Sequence, residues 1–154
     1  MTNFEQARPI ITWYCWRWPI ELLFAILKQR GLDIEATQRE SFAAIQKLCL
    51  FALAVALQVL QLTLGRDNQA ESASLVFAPA QHAYLAQIAP KLDGRTPKQR
   101  NPHPTHSLAW ASWLMARLGG WSGYRSQRPP GFATLYRGLR KFKDMFRGWQ
   151  LAAP

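Results

Sequence analysis

Apolar residues recur with helical spacing along most of this sequence. The first helical pattern runs to about Arg30, where Gly31 offers a good C-terminal stop. Pro9 and Pro19 lie inside this pattern. Each removes a backbone donor and crowds the preceding turn, so we expect a break or kink at one or both. A second pattern, over residues 39–64, is more apolar and predicts a long buried helix.

Shorter helices and two loops are predicted in the remainder of the chain. Pro79 can begin a helix because proline is favoured in the first turn. Ser107 can cap the next helix, and Gly119 can end it. The segments are helices over 79–88, 108–118 and 132–149, and loops rich in Pro and Gly over 90–106 and 121–131. There is no convincing strand run and no internal repeat, so the pattern indicates a mainly α fold.

The predicted helix over 108–118 is apolar nearly all the way round, which is typical of a helix buried on several sides. Its large residues are therefore predicted to be core or interface residues rather than stacking platforms for nucleobases. These residues are Trp110, Trp113, Met115 and Leu118.

The net charge adds a further feature, because all of the net positive charge lies in the C-terminal part of the chain. The formal net charge is +10, and residues 1–90 contribute none of it, with seven Lys/Arg and seven Asp/Glu. Residues 91–154 carry twelve Lys/Arg against Asp93 and Asp144. A field of one sign indicates a polyanionic partner, which can be DNA, RNA or an anionic membrane surface. The alternative is a solvated basic face without a partner.

Two further features bear on the compartment. The run over 48–57 is apolar without a break, but Gln58 and Gln61 interrupt its continuation. A spanning helix needs about 20 nearly uninterrupted apolar residues, so we expect a core helix and no membrane contact. Cys15 and Cys49 lack metal-ligand spacing and are predicted to be small buried residues of a reducing cytosol. No secretory leader is expected from residues 1–9.

Polar residues that suit phosphate chemistry occur at helical spacing in the first pattern. Tyr14, Arg17, Glu21 and Lys28 lie at i, i+3, i+7 and i+14, and so form one stripe on a helix. Such a stripe is often only an ion-pair network. The functional alternative is a carboxylate that binds a divalent metal, with a phenol and cations that hold phosphates around it. The apolar back of the helix comprises Ile20, Leu23, Phe24 and Leu27.

The spacing Y-x2-R-x3-E-x6-K, with Trp18 and Ile20 beside Glu21, resembles the signature of the bacterial insertion-sequence-four group of transposases, which includes the Tn-five type. Three later segments also resemble this group. They are the apolar run over 48–64, the helix and turn over 107–121, and the segment over 130–139. The resemblance therefore extends over most of the chain.

The resemblance implies a ribonuclease-H-like α/β core and a catalytic Asp-Asp-Glu triad that binds Mg²⁺. Glu21 would be the last triad member and a metal ligand, and Tyr14, Arg17 and Lys28 would hold phosphates of transposon-end DNA. The implied reaction is metal-assisted cleavage at the element's end, followed by strand transfer. Basic residues of the C-terminal part are expected to contact the DNA backbone. They are Arg125, Arg128, Arg137, Arg140, Lys141 and Lys143.

One departure limits this expectation: no aspartate precedes Glu21 in the sequence. A single carboxylate cannot hold two hard cations that need several oxygen ligands. We therefore expect a C-terminal fragment that is inactive alone. Its parts would be the end of the transposase core over 1–66, a linker with a short helix and basic loop over 67–106, and a basic helical domain over 107–154.

Other functions stay open. The chain can be a non-catalytic basic module for DNA binding or dimerisation, or a small membrane protein with one span at residues 48–64. As a transposase fragment it would be cytoplasmic, associated with the nucleoid, and able to form homodimers or mixed dimers with a full-length enzyme. His82, His103 and His106 lack partners at ligand spacing, so no metal is expected there.

Overall fold

A computed structural model describes residues 4–28, 41–124 and 126–152 of the chain, and side chains from Ala7 onward. Helices account for most of these residues, and no strand occurs among them. Within these ranges the α-helices are α1 (Phe4–Leu27), α2 (Phe42–Leu64), α3 (Pro79–Leu92), α4 (Leu108–Leu118) and α5 (Phe132–Ala152). Two short 3-10 helices cover Ala73–Leu75 and Pro97–Gln99. The mainly α prediction is confirmed.

Local sequence signals explain where α3 and α4 begin. The Gln81 side-chain oxygen accepts from the Ala78 backbone N–H at 2.9 Å, next to Pro79 in the first turn. Ser107 caps α4, since its hydroxyl oxygen accepts from the Trp110 backbone N–H at 3.1 Å. The predicted bounds of α4 are confirmed by the structure.

Proline changes the helices less than the sequence suggests. The expected break in the first helix is absent, because α1 continues through both Pro9 and Pro19. Likewise, α3 continues past Pro90 to Leu92, where a loop was expected. Each proline removes one hydrogen bond from the ladder, and the remaining bonds on either side keep the helix in place. The predicted stop at Gly31 lies outside the residues that the structure describes.

The chain divides into two compact units, Met1–Leu60 and Gln61–Pro154. The second unit has its core around α4, in which every residue except Arg117 is buried. Helix α5 packs directly on α4, and Gly138 makes this possible, because a Cβ there would collide with the Met115 carbonyl oxygen. The buried Ser112 hydroxyl donates to the Leu62 carbonyl oxygen at 2.9 Å and ties α4 to the end of α2.

An aromatic cluster between α3 and α5 adds to this core. The Tyr84 ring on α3 lies 5.3 Å from Trp149 and 5.8 Å from both Phe142 and Phe146. Phe77 meets Phe142 edge to face at 5.3 Å. Offset and edge-to-face ring pairs of this kind add stability beyond the area that they bury. Helix α5 therefore has an aromatic face against α3 and a polar face toward solvent.

The first unit contains α1 and most of α2, and little of it is buried. Ile26, Ala52, Ala56 and Val59 are its buried residues among those described. Large apolar side chains project into solvent along both helices. They are Ile10, Ile11, Trp13, Tyr14, Trp16, Trp18, Ile20 and Phe24 on α1, and Phe42, Leu50, Phe51, Leu53 and Leu57 on α2.

Candidate nucleic-acid interface

Three of the four stripe residues come together on one face of α1. The Arg17 Nε lies 2.9 Å from Glu21 Oε1, one helical turn away. The same guanidinium lies over the Tyr14 ring, with Cζ 5.0 Å from the ring centroid. Arg17 thus bridges a ring below it and a carboxylate above it. The Arg17 and Glu21 side chains are 62% and 54% exposed, so the ion pair itself contributes little stability.

Lys28 lies apart from this cluster. It follows the last residue of α1, and its backbone N–H donates to the Phe24 carbonyl oxygen at 3.2 Å. Lys28 is seven positions after Glu21, which corresponds to about 10 Å along the axis at 1.5 Å per residue. Lys28 is exposed and adds a positive charge at the C-terminal end of α1, on the same side as Arg17.

A shallow depression of about 370 Å³ accompanies the cluster, and it also involves Cys15 and Trp18. The expected burial of Cys15 is wrong, because its side chain is exposed. Pro19 has no N–H to donate to the Cys15 carbonyl oxygen one turn earlier. The depression thus lies where the helix has one backbone donor fewer.

The side chains described in this unit do not make a magnesium site. Glu21 is the only carboxylate among them, and it is paired with Arg17. Mg²⁺ requires octahedral oxygen coordination, usually with more than one acidic group or with substrate phosphates. No group of three potential metal ligands occurs anywhere in the described part of the chain. The chain as described therefore does not fit the Mg²⁺ that the resemblance implies.

The apolar back of α1 is only partly covered. Ile20 and Phe24 are mostly exposed, and Leu23 and Leu27 are half-buried. The fully buried residue is Ile26, which the sequence analysis had not placed on the inner face. The helix is apolar on several sides, so periodicity alone gave no sharp distinction between an inner and an outer face.

Helix α5 presents a second cationic face, in the second unit. Arg137, Arg140 and Lys141 are exposed on it. Arg147 lies on the same face, although the sequence analysis did not select it; its helical spacing from Arg140 was the available signal. Asp144 is the acidic residue among them.

The other basic residues proposed for DNA contact lie elsewhere. Lys143 is half-buried, and burial lowers the pKa of its ammonium group below the ordinary lysine value. Arg128 is exposed in the loop before α5. Arg125 lies outside the residues that the structure describes. The sequence therefore selected three residues that share a face, and two that do not belong to it.

The three histidines make local contacts. His82 Nε2 lies 3.3 Å from the Ser74 hydroxyl, and His103 Nδ1 lies 3.3 Å from the Gln69 amide nitrogen. The His82 and His106 rings are 5.9 Å apart, and His106 has a positive φ of 69° in the tight turn before α4.

Two helices are long and apolar enough to cross a membrane by length and composition, Ala7–Leu27 with 21 residues and Phe42–Leu64 with 23. Only 6% of the first and 17% of the second is buried. Length and composition alone are weak evidence for insertion. Helix α2 is mostly exposed in the structure, so the buried core helix predicted over 39–64 is not confirmed.

Comparison with known proteins adds no family to these observations. No protein-family model matches the chain, and no curated protein matches it.

Proposed function

We propose that this chain is the C-terminal part of a DNA transposase of the insertion-sequence-four type. The observation that carries the proposal is the contact of Tyr14, Arg17 and Glu21 along one exposed face of α1, at the spacing that resembles the family signature. A guanidinium that already lies over a phenol ring presents its free N–H groups in a fixed plane. That arrangement suits two-point contact with a phosphate.

The role of this face is to hold backbone phosphates of transposon-end DNA. Arg17 supplies planar donors, the Tyr14 hydroxyl supplies another donor, and Lys28 adds a point charge farther along the helix. Glu21 would be a metal ligand only together with carboxylates from the rest of a transposase core; among the described residues its partner is Arg17. Because the described residues supply no second carboxylate beside it, we assign no catalytic step to this chain alone.

The cationic face of α5 would bind duplex DNA without sequence preference. Neutralising phosphates with lysine and arginine releases condensed counterions, which drives binding at low salt. The arrangement of Arg137, Arg140, Lys141 and Arg147 on one helix face supports this role. This face of α5 also supports the second candidate function, a non-catalytic DNA-binding or dimerising module. That function does not involve Glu21.

The exposed apolar residues of α1 and α2 suggest partners as well. In this proposal they pack against the remainder of a transposase core, in a homodimer or in a mixed dimer with a full-length enzyme. Such a protein would be cytoplasmic and associated with the nucleoid. The competing explanation for the exposed apolar residues of α2 is that this helix spans a membrane. A protein with such a span would need detergent to stay in solution.

One binding and cleavage assay tests the proposal on the full chain with duplex DNA, across a range of salt concentrations. Arg17→Gln should reduce the slope of log affinity against log salt by about one phosphate contact, or ~0.9. Arg8→Gln is the matched control, because Arg8 is exposed on the opposite side of the same helix. Combined neutralisation of Arg137, Arg140 and Lys141 should reduce the slope by roughly 2–3.

The same reactions, with Mg²⁺ or Mn²⁺ added, should show no strand cleavage. If Arg17→Gln and Arg8→Gln gave the same slope of log affinity against log salt, the proposed phosphate binding by α1 would be wrong. If only the α5 variant changed the slope, the binding module would become the better assignment. Metal-dependent cleavage that disappeared in Glu21→Ala would show instead that the chain is active by itself.

A further inference from the structure

Helix α2 has one covered side and one uncovered side. Ala52, Ala56 and Val59 lie on the covered side and are 2%, 0% and 0% exposed. On the other side, Leu50 and Phe51 are 68% and 70% exposed. Residues three, four and seven positions apart lie on the same side of a helix, so each side is continuous along α2.

The uncovered side has a leucine face at its centre. The side chains of this leucine face are Ala43, Leu50, Leu53, Ala54 and Leu57. The three leucines recur at i, i+3 and i+7 and are each exposed by 40% or more. The two alanines are also exposed, and they lie three helical turns apart on the same side. The leucine face extends over about 20 Å of the helix axis at 1.5 Å per residue.

The size of the leucine face suits contact with another helix. With Phe51 at its edge, it offers roughly 600 Å² per copy, and stable protein interfaces bury ~1,200–2,000 Å² from both partners together. A symmetric pair requires a surface that is complementary to itself, because both copies contribute the same residues. Leucine and alanine meet this requirement, since apolar contact has no preferred direction.

One charge distinguishes the two ways in which such helices can pair. Lys47 is the only charged residue of α2, and it is exposed beside the leucine face. In a parallel pair the two Lys47 ammonium groups would lie next to each other and repel. In an antiparallel pair centred between Leu53 and Ala54, they lie about 20 Å apart along the axis, and Leu50 of each copy lies opposite Leu57 of the other. Each Lys47 then extends toward the C-terminal end of the other helix, where the helix dipole favours a cation.

A lipid bilayer fits this surface less well than a helix does. A spanning helix exposes its whole circumference unless other helices cover it, whereas Ala56 and Val59 are already completely covered within the protein. Insertion of α2 alone would remove those contacts and would bring Lys47 close to hydrocarbon. Pairing keeps the contacts and covers only the surface that is exposed.

We propose that α2 pairs through its leucine face with α2 of a second copy of this chain, in antiparallel orientation. The inference rests on the homodimer of the proposed function, and it names the surface and the direction of that homodimer. Binding of DNA by α1 or α5 does not enter it. The pairing and the DNA contacts can therefore fail separately.

The first test is sedimentation equilibrium of the full chain, without DNA and without detergent, which should show a discrete monomer–dimer equilibrium. Leu50→Gln should raise the dimer dissociation constant by about 100-fold, because each dimer loses two buried leucines at about tenfold each. Leu75→Gln is the matched control. Leu75 is 53% exposed but lies in the 3-10 helix of the second unit, so its replacement should leave the constant unchanged.

The second test determines the direction of pairing with two cysteine variants, Ala54→Cys and Ala43→Cys, each combined with Cys15→Ser and Cys49→Ala. Position 54 lies at the centre of the antiparallel pair, so the cysteines of the two copies come close enough for a disulfide. Position 43 lies about 30 Å from its counterpart along the axis. Mild oxidation should therefore link Ala54→Cys into a dimer on a non-reducing gel and leave Ala43→Cys unlinked.

A monomer, a polydisperse aggregate, or a protein that stays in solution only with detergent would overturn the proposal. A dimer that Leu50→Gln leaves unchanged would have its interface elsewhere, which also overturns it. Linkage of both cysteine variants would show parallel pairing, and linkage of neither would exclude α2 from the contact; the antiparallel pair is wrong in either case. The first result comes from the unaltered protein, so it does not depend on whether the variants fold.

Discussion

The two units of this protein place their large apolar side chains in opposite environments. In the second unit, Phe142 is completely buried and α4 is enclosed by its neighbours. In the first unit, Phe51 is 70% exposed and the tryptophans of α1 face solvent. Both units are helical and both are rich in apolar residues. Apolar content and helix length therefore do not suffice to make a core.

The difference lies in complementary faces. Helix α5 separates its residues into an aromatic side, with Phe142 and Phe146, and a cationic side, with Arg140 and Lys141. Because of this separation, burial of the aromatic side is favourable while the cationic side stays in solvent. Helix α1 has large apolar groups on all sides, so no single surface of one neighbour can cover them. The first unit thus has the composition of a core without the partner surfaces that would enclose it.

The largest effect that distinguishes the units is expected from truncation of one buried and one exposed phenylalanine. Phe142→Ala should lower the free energy of unfolding by about 3–5 kcal/mol, because it leaves a cavity between α3 and α5. Phe51→Ala is the matched change in the first unit and should alter that free energy by less than about 0.5 kcal/mol. Urea unfolding followed by circular dichroism measures both. A large loss for Phe51→Ala would mean that the first unit buries this residue in solution.

A smaller effect is expected where α5 approaches α4. Gly138→Ala should destabilise the second unit by about 1–3 kcal/mol, because the new Cβ would meet the Met115 carbonyl oxygen and force the helices apart. Gly148→Ala, on the same helix, meets no atom within 4 Å and should stabilise by roughly 0.5–1 kcal/mol, since alanine is the better helix former. Thermal unfolding compares the pair, and equal shifts would contradict the close packing of the two helices.

The smallest effect concerns self-association through the first unit. Exposed apolar surface of this extent favours association, so sedimentation should show a species larger than the monomer. Phe51→Gln should weaken association by about tenfold, as expected from exposing one buried aromatic side chain at ~1.5 kcal/mol or more. Leu151→Gln is the control, because Leu151 is 83% exposed near the end of α5.

Three results of the sedimentation experiment would contradict this expectation. A well-behaved monomer would remove the association proposal, and equal effects of both substitutions would remove its assignment to the first unit. Material that stays in solution only with detergent would favour the membrane-spanning alternative for α2.

Several features of the fold could be predicted because their causes are local. Helix α4 begins at a serine cap and ends at glycine, and both signals depend on neighbours within one turn. Its burial followed from an apolar surface on all sides. The contact of Arg17 with Glu21 followed from their i, i+4 spacing.

Other features could not be predicted, because they depend on what surrounds a residue. Lys143 was grouped with the exposed cations of α5, but its position on the helix brings it toward the core and burial lowers its pKa. Helix α3 was expected to end before Pro90, yet it continues to Leu92, whose carbonyl oxygen accepts from Arg117 Nε at 3.0 Å. This hydrogen bond to Arg117 is a tertiary contact at the end of α3, and the sequence near Pro90 gives no sign of it.

The sequence by itself determined the mainly helical class, the location of the net positive charge in residues 91–154, and the stripe of Tyr14, Arg17 and Glu21, because these follow from composition and helical periodicity. Only the tertiary structure decided which apolar surfaces are covered, that Lys143 is half-buried, and that Gly138 lies against the Met115 carbonyl oxygen. Those properties depend on distances between residues far apart in the chain. Local pattern carries no information on them, since packing brings such residues together through contacts that no short segment specifies.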